Sequence, residues 1–361
     1  MIKVLLAIGP SREVGGAQKV FLTTINEFLK KQLDITVVVP DGPLVEHLRP
    51  LNIKMYVVDY SSVSGLLAIS KVLKNENADI VNTYLIKSSL LFCLVNLVYR
   101  RTICCTLLNA IIHEKTTTIQ KLIYPLLYFL LSKMSDGIIV NSDQNRDHFI
   151  QTAKIPGELI KVIYSGIDMS EFVSARGQKR ENSKFILGIV GRLSAEKGHS
   201  CLIEALSLLK GIDYECMIIG DGPLRNELEH LVNSFGLQDK VKFYGHKNTI
   251  ALLMQQMDVI IVPSVNETFG ITIVEAFASK KVVIASNAGG IPELVKDHST
   301  GYLFPVKDSS LLAKVITHVY ENQREASEIA DNAYKLVMQR FTSEIMAINT
   351  VSYYEHLAQS L

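Results

Sequence analysis

The sequence predicts an α/β protein of two doubly wound domains, each a parallel sheet covered by helices on both faces. Three observations carry this reading. Short, often β-branched apolar runs alternate with stretches of helical period along the chain, the pattern of strands joined by helical crossovers. The runs are continuously apolar rather than alternating, as parallel strands buried on both faces must be. And 361 residues suffice for two ordinary domains, each with an ample core.

Taken in order, residues 2–8 form the first strand, closed by Gly9-Pro10, with a loop over 11–16 and a helix over 17–30. Strands follow at 35–39, stopped by Pro40, and at about 53–58; a helix at 65–74 leads to a short strand at 79–82. Two apolar helices, 88–99 and 119–132, flank a strand at 102–108. A strand at 136–141 then precedes Ser142, whose hydroxyl suits the N-cap of the helix opened by Asn145-Arg146. The polar, aperiodic stretch 174–183 reads as a linker, so the first domain is placed at 1–173.

The second domain, 184–340, opens on the apolar strand ending at Gly191, followed by a loop carrying Arg192, Lys197 and Gly198 and a helix over 200–210. A strand and turn at 217–223, a helix at 224–235, and a short strand at 241–244 with Gly245-His246 come next. Residues 250–257 precede an apolar run at 258–262 that Pro263 stops. From Ile271 apolar residues recur at helical spacing. A strand at 282–286, a loop at 287–293, a segment 301–305 and a helix at 309–322 complete the domain, and 341–361 form a last helix.

The chemistry concentrates where strand 258–262 gives way to the helix starting near Gly270. A helix N-terminus at a strand's carboxyl end is an anion site, because its first N–H groups lack partners and the macrodipole adds positive charge. Glu267 and Glu275 bracket that site. Carboxylates are poor phosphate ligands but good acceptors for sugar hydroxyls, so the pair suits a sugar joined to a phosphate. Arg192 and Lys197, on a glycine-bounded loop at another strand end, suit two adjacent phosphates, one by a planar fork and one by a mobile point charge. At the first strand-to-helix turn Gly15-Gly16 admits two readings, a tight turn or a backbone that approaches a ligand. Its spacing from Gly9 is not that of G-x-G-x-x-G.

Composition excludes other classes. A net charge of +1 does not supply the concentrated basic face that nucleic acid requires. Five cysteines without CxxC or Cys/His spacing read as buried small hydrophobes in a reducing compartment. The first apolar run is a strand and not a signal peptide. The uncharged runs within 88–99 and 122–132 are shorter than the roughly 20 residues that span a bilayer. A cytoplasmic location is expected.

The pattern Pro263-Ser264-x-x-Glu267-x-Phe269-Gly270-x-x-x-x-Glu275-Ala276 resembles the signature of retaining, nucleotide-sugar-dependent glycosyltransferases of family 4, which have the GT-B fold of two Rossmann-like domains facing across a cleft. Gly191-Arg192…Glu196-Lys197-Gly198 is similar to that family's diphosphate-binding motif, Gly15-Gly16-Ala17 to its first-domain loop, and Gly289-Gly290-x-x-Glu293 to a further turn. The segment 162–172 resembles the one closing its first domain, with Ser165 where Asn is usual. The resemblance implies that the donor sits in the second domain. Arg192 and Lys197 neutralise its diphosphate, helped by the N-terminus at Gly270, Ile271 and Thr272. Glu275 takes the ribose hydroxyls, Glu267 the sugar hydroxyls, and the backbone at Gly245-His246 the nucleobase; Phe269 belongs to the same donor set. Gly15 and Gly16 lie at the outer phosphate, and the last helix crosses back onto the first domain. The family's usual histidine after the strand at 102–108 is displaced: Leu108-Asn109 stands there and His113 follows, so either Asn109 or His113 takes the catalytic-side position.

The implied function is metal-independent, retaining transfer from a UDP- or GDP-sugar to a glycan or lipid-linked acceptor in cell-surface polysaccharide or lipopolysaccharide synthesis. The nucleotide sugar is a co-substrate; no cofactor is implied, and no D-x-D occurs to hold a metal. Two alternatives stand beside it, a sugar-nucleotide epimerase on the same fold and a catalytically silent nucleotide-sugar-binding subunit. The apolar helices of the first domain, bordered by Arg100, Arg101, Lys115, Lys121 and Lys133, read either as core with solvated ends or as a peripheral contact with the inner face of the membrane.

Overall fold

The computed structural model describes residues 2–10, 15–108, 118–175, 184–247 and 249–359. It divides into two compact units, Met1–Gly166 with Ser343–Leu361, and Ile167–Thr342.

The first unit holds seven strands: β1 (Lys3–Ile8), β2 (Asp34–Val39), β3 (Lys54–Val57), β4 (Ile80–Tyr84), β5 (Thr102–Leu107), β6 (Gly137–Val140) and β7 (Ile160–Val162). They pair in the order β3-β2-β1-β4-β5-β6-β7, every pair parallel. Central β1 explains its own composition. Leu5, Leu6, Ala7 and Ile8 are wholly buried because helices cover both faces, and so the strand is apolar on both faces beyond Lys3. The order reverses beside β1, whose neighbours are β2 and β4, and ligands bind at such a switch point outside the strands' carboxyl ends. The helix Gly16–Lys30 starts there.

The last helix, Ser343–Gln359, belongs to this unit. Tyr354 is fully buried against Phe28, ring centroids 6.1 Å apart, and accepts a hydrogen bond from Asn82 Nδ2 on β4. Ser343 Oγ donates to Glu27 Oε1 at 2.9 Å.

The second unit repeats the plan with β8 (Phe185–Val190), β9 (Tyr214–Ile219), β10 (Val241–Gly245), β11 (Val259–Val262), β12 (Val282–Ser286) and β13 (Tyr302–Phe304). The order is β10-β9-β8-β11-β12-β13, all parallel, with the switch between β8 and β11. Its core is built from β-branched and aromatic residues such as Ile261, Ile284, Tyr214 and Phe304.

Several elements depart from expectation, among them the short helices Pro43–Leu48 and Met169–Ser174. Strands β7 and β13 and the helix Gln323–Arg340 were not marked in the sequence. The first domain was expected to end at 173, yet the contacts divide at Gly166/Ile167. The helix Met169–Ser174 packs on helices Ile250–Gln255 and Ile271–Ala278 of the second unit and buries Phe172. Of the expected linker, 176–183 lie outside the described residues. All five cysteines are buried and form no disulfide. Among the described residues no helix is long and apolar enough to cross a membrane.

Candidate functional site

In the second sheet β8, β11 and β12 are neighbours, so the loops leaving their carboxyl ends emerge side by side. The β8 loop turns through the short 3-10 helix Ala195–Lys197, closed by Gly198 at φ +68°. Only glycine suits that site: a Cβ there would stand 1.9 Å from the Pro263 carbonyl oxygen of the neighbouring loop. The loops are cross-tied. Val265 N–H donates to Glu196 O at 2.8 Å, and Gly290 N–H donates to Glu267 O at 2.8 Å. Ser286 Oγ donates to Ser264 O at 2.5 Å, with Ser264 buried. Gly289, at φ +52°, lets the β12 loop pass so close that a Cβ would lie 2.1 Å from Glu267 O. Backbone groups held this way are preorganised, and a ligand need not order them.

Lys197 and Glu267 meet on this platform. Their Nζ and Oε2 atoms are 2.5 Å apart, with the carboxylate only 15% exposed and the ammonium 30%. Ser264 Oγ lies 3.5 Å from the same oxygen. The sequence assigned Lys197 to phosphate and Glu267 to sugar hydroxyls; the structure brings the two together as each other's partner. Glu275, two turns further on, is buried on the helix Ile271–Ala278. Gly270 is that helix's N-cap, and its carbonyl accepts from the N–H of Ile273 (2.9 Å) and of Val274 (3.4 Å). The N–H groups of Ile271 and Thr272 precede any intrahelical acceptor and point outward at its positive end. Arg192 is exposed just beyond β8.

The remaining predicted residues are more dispersed. Phe269 is buried and meets Phe341 edge-on at 5.9 Å, so its side chain anchors the loop that carries Glu267 and Gly270. Gly245 ends β10, and its carbonyl accepts from Gly220 N–H at 2.9 Å. Gly220 in turn abuts Gly191 O, which a Cβ would approach to 1.9 Å. The backbone is thus continuous from the β10 end to the Arg192 loop, while His246 is exposed. Gly15 and Gly16 lie in the first unit. Gly15 N–H donates to Gln18 Oε1 at 3.2 Å, and a Cβ on Gly16 would meet nothing within 4 Å. Packing therefore does not require glycine at 16. Asn109 and His113 lie outside the described residues.

One neighbour went unmarked. His199, next after Gly198, is buried with no hydrogen-bond partner on either ring nitrogen. Burial, aided by the Lys197 charge, pushes its pKa down to about 4, so a neutral ring sits behind the cationic loop. Its place directly after Lys197-Gly198 was the available signal.

Residues 14–171 match Glycosyltransferase Family 4, and 171–336 match glycosyl transferases group 1. An uncharacterized glycosyltransferase of Methanocaldococcus jannaschii is 30% identical over 240 residues, 63% of this chain and 62% of the relative. The chain thus spans less than two thirds of that relative's length. The UDP-Gal:alpha-D-GlcNAc-diphosphoundecaprenol alpha-1,3-galactosyltransferase of Escherichia coli is 24% identical over 86% of each chain. The crystal structure of Anabaena HepE in complex with UDP superposes with a TM-score of 0.86 at 26% identity, covering 98% of this chain and all of that one. The two sheets, the strand-end loops and these matches agree: the chain belongs to the glycosyltransferases of family 4 and group 1, with the GT-B fold.

Proposed function

We propose that this chain is a retaining, metal-independent glycosyltransferase that moves a sugar from a UDP- or GDP-sugar to a glycan or lipid-linked acceptor in cell-surface polysaccharide or lipopolysaccharide synthesis. The observation that carries it is the Lys197–Glu267 pair beside the N-terminus of Ile271–Ala278 on three cross-tied strand-end loops. Lys197 and Arg192 face the two phosphates, so charge that develops on the leaving diphosphate is met by fixed cations and backbone N–H groups. The absence of any D-x-D and the presence of these cations support metal independence. As the diphosphate enters, Lys197 turns from Glu267 to phosphate, and Glu267 is released to accept sugar hydroxyls. Glu275 accepts from the ribose. In the transfer step the bond from the anomeric carbon to the phosphate oxygen breaks and the acceptor oxygen bonds to the same face. The acceptor's proton passes to the departing phosphate oxygen. UDP is favoured by the UDP complex of HepE and the UDP-Gal named for the E. coli relative, whose name also supports a lipid-linked acceptor.

A thermal-shift panel of sugar nucleotides at about millimolar concentration, with and without EDTA, tests the reading, since a ligand that binds only the native state raises Tm by mass action. One sugar nucleotide should raise Tm equally in both conditions and fail to do so in Arg192→Ala and Glu275→Ala. No shift with any donor contradicts the proposal. A shift without turnover in any acceptor mixture would mark a binding subunit.

A further inference from the structure

Far along the chain from the transfer loops, three side chains from three elements converge. His298 sits in the turn before β13, at φ +54°. His318 lies in the last turn of the helix Ser309–Glu321, and Glu325 in the first turn of Gln323–Arg340. His298 Nδ1 is 3.4 Å from Glu325 Oε1, and His318 Nε2 is 3.4 Å from Glu325 Oε2. One ligand atom from each residue falls within 4.8 Å of the other two. His318 Nε2 is a buried atom that makes no hydrogen bond of good geometry.

The cluster is held from behind. Tyr302, itself buried, donates its hydroxyl to Glu325 Oε1 at 3.2 Å. Its ring stands edge-on to both imidazoles, 5.0 Å from His298 and 5.7 Å from His318. The His298 hydrogen bond, with that of Tyr302 and the charge of a protonated His318, holds the Glu325 carboxyl below the usual carboxylate range. Two imidazoles and a carboxylate, with one carboxylate oxygen fixed by a buried hydroxyl, form a ligand set with an outer shell.

We propose that His298, His318 and Glu325 bind a divalent transition-metal ion of the zinc type, outside the transfer chemistry. Zinc takes nitrogen and carboxylate oxygen at about 2.0–2.2 Å, which sets tetrahedral neighbours about 3.3–3.5 Å apart. Each imidazole stands at that spacing from one Glu325 oxygen, His298 from Oε1 and His318 from Oε2. One ligand atom from each residue already lies within 4.8 Å of the other two, a distance that rotation of the exposed His298 ring and the Glu325 carboxylate shortens on binding. Mg²⁺ and Ca²⁺ prefer all-oxygen shells, so the imidazoles select against them. Solvent completes the fourth position, which makes the site open and exchangeable. Binding ties the turn before β13 to two helices and so stabilises that edge of the second unit. The same chain connection begins at Gly289-Gly290, where it supports Glu267. Asn322 bears on the tautomer: its Nδ2 donates to His318 O at 2.8 Å and lies 3.3 Å from His318 Nδ1. Metal at Nε2 needs a proton on Nδ1, and an acceptor at position 322 would hold it there.

The test uses the full chain stripped with EDTA and dialysed, titrated with Zn²⁺ by calorimetry and with Co²⁺ followed by visible absorbance. One equivalent should bind at micromolar or tighter levels, with the visible bands of low-coordinate Co²⁺ and a rise in Tm. His298→Ala and His318→Ala should each weaken binding by at least about a hundredfold, beyond the 10–100-fold expected of outer-shell losses. Asn322→Asp should tighten it, and the exposed His230→Ala should leave it unchanged. Should His318→Ala fail to fold, the exposed His298→Ala carries the comparison. No saturable binding up to about 100 μM, or binding unaltered by His298→Ala, overturns the proposal. Transfer activity is not the readout, so this result stands apart from the test of the proposed function.

Discussion

Lys197 has two partners within its reach, a carboxylate now and a diphosphate when donor arrives. A 2.5 Å contact in a half-buried setting keeps the ammonium aimed, but the pair must part for both groups to act on the donor. Glu267→Gln removes the competitor and keeps the shape. It should therefore bind UDP at least as tightly as the parent while transfer falls by about 10²–10³, the cost of losing one preorganised group. Lys197→Ala should lose both UDP affinity and transfer. Weaker UDP binding in Glu267→Gln would show that the carboxylate does not compete for the lysine. His199 makes a separate prediction. Its folded pKa of about 4 lies below the ordinary 6.5, so above pH 6.5 neither state holds the extra proton. Below it the unfolded chain takes one up first, and stability falls as pH drops toward 4. Between pH 7 and pH 5 this group should remove about 2 kcal/mol, read as the difference in urea-unfolding pH dependence between the parent and His199→Leu. Identical profiles would contradict it. Glu275 was legible from its spacing into the helix that Gly270 opens, and Lys197 and Glu267 because glycines and a proline hold their loops at strand ends. Their mutual pairing, the burial of Phe269 and the meeting of His298 with Glu325 were not, since each depends on distances between separate loops or helices.

At the scale of elements, the buried strands were legible because a parallel strand covered on both faces is mostly apolar along its length, with buried polar residues such as Asn82 hydrogen-bonded. Expected and observed bounds coincide at 282–286 and differ by a residue or so at most other strands. Strands β7 and β13 have only three residues each, too few to carry a pattern. The helix Gln323–Arg340 buries Ala326, Ile329, Ala330, Ala333 and Val337; its periodicity is real but written mostly in alanine. The apolar helices of the first unit resolve partly against the core reading. Phe92 and Leu131 are buried, yet Val98 is 78% and Leu122 79% exposed, with Leu94, Leu97 and Leu126 also outward. Helices Ile86–Tyr99 and Thr118–Met134 pack together, and Lys133 Nζ lies 5.2 Å over the Phe129 ring. An exposed apolar face with Lys133 at its edge gives the alternative reading, a peripheral contact with anionic lipid, a direct test. The protein should co-sediment with vesicles containing anionic lipid, less so at high salt. The double substitution Leu122→Asp/Leu126→Asp should weaken that binding at least about tenfold, since each leucine moved from water contributes about 1.5–3 kcal/mol. Equal sedimentation of parent and variant would return these helices to the role of ordinary surface.

For the whole molecule, the two-domain α/β plan was legible from alternation and length, and the family from motifs concentrated in the second half. The domain boundary was not. The chain completes the first sheet at β7, yet Phe172 is buried with the second unit, and composition does not mark which of two cores takes an apolar residue. The asymmetry of the motifs follows from chemistry, because nucleotide diphosphate recognition is common to many donors while acceptor recognition is not. The central claim is that this platform breaks the bond between a sugar and a nucleoside diphosphate and delivers the sugar to the face it left. Proton NMR of donor turnover, in EDTA and with the sugar nucleotide that raises Tm, reads this directly, provided the first product is observed before mutarotation. Release of the nucleoside diphosphate with an α-configured product from an α-configured donor is the predicted result. A β-configured first product, or turnover that requires added metal, would contradict the account.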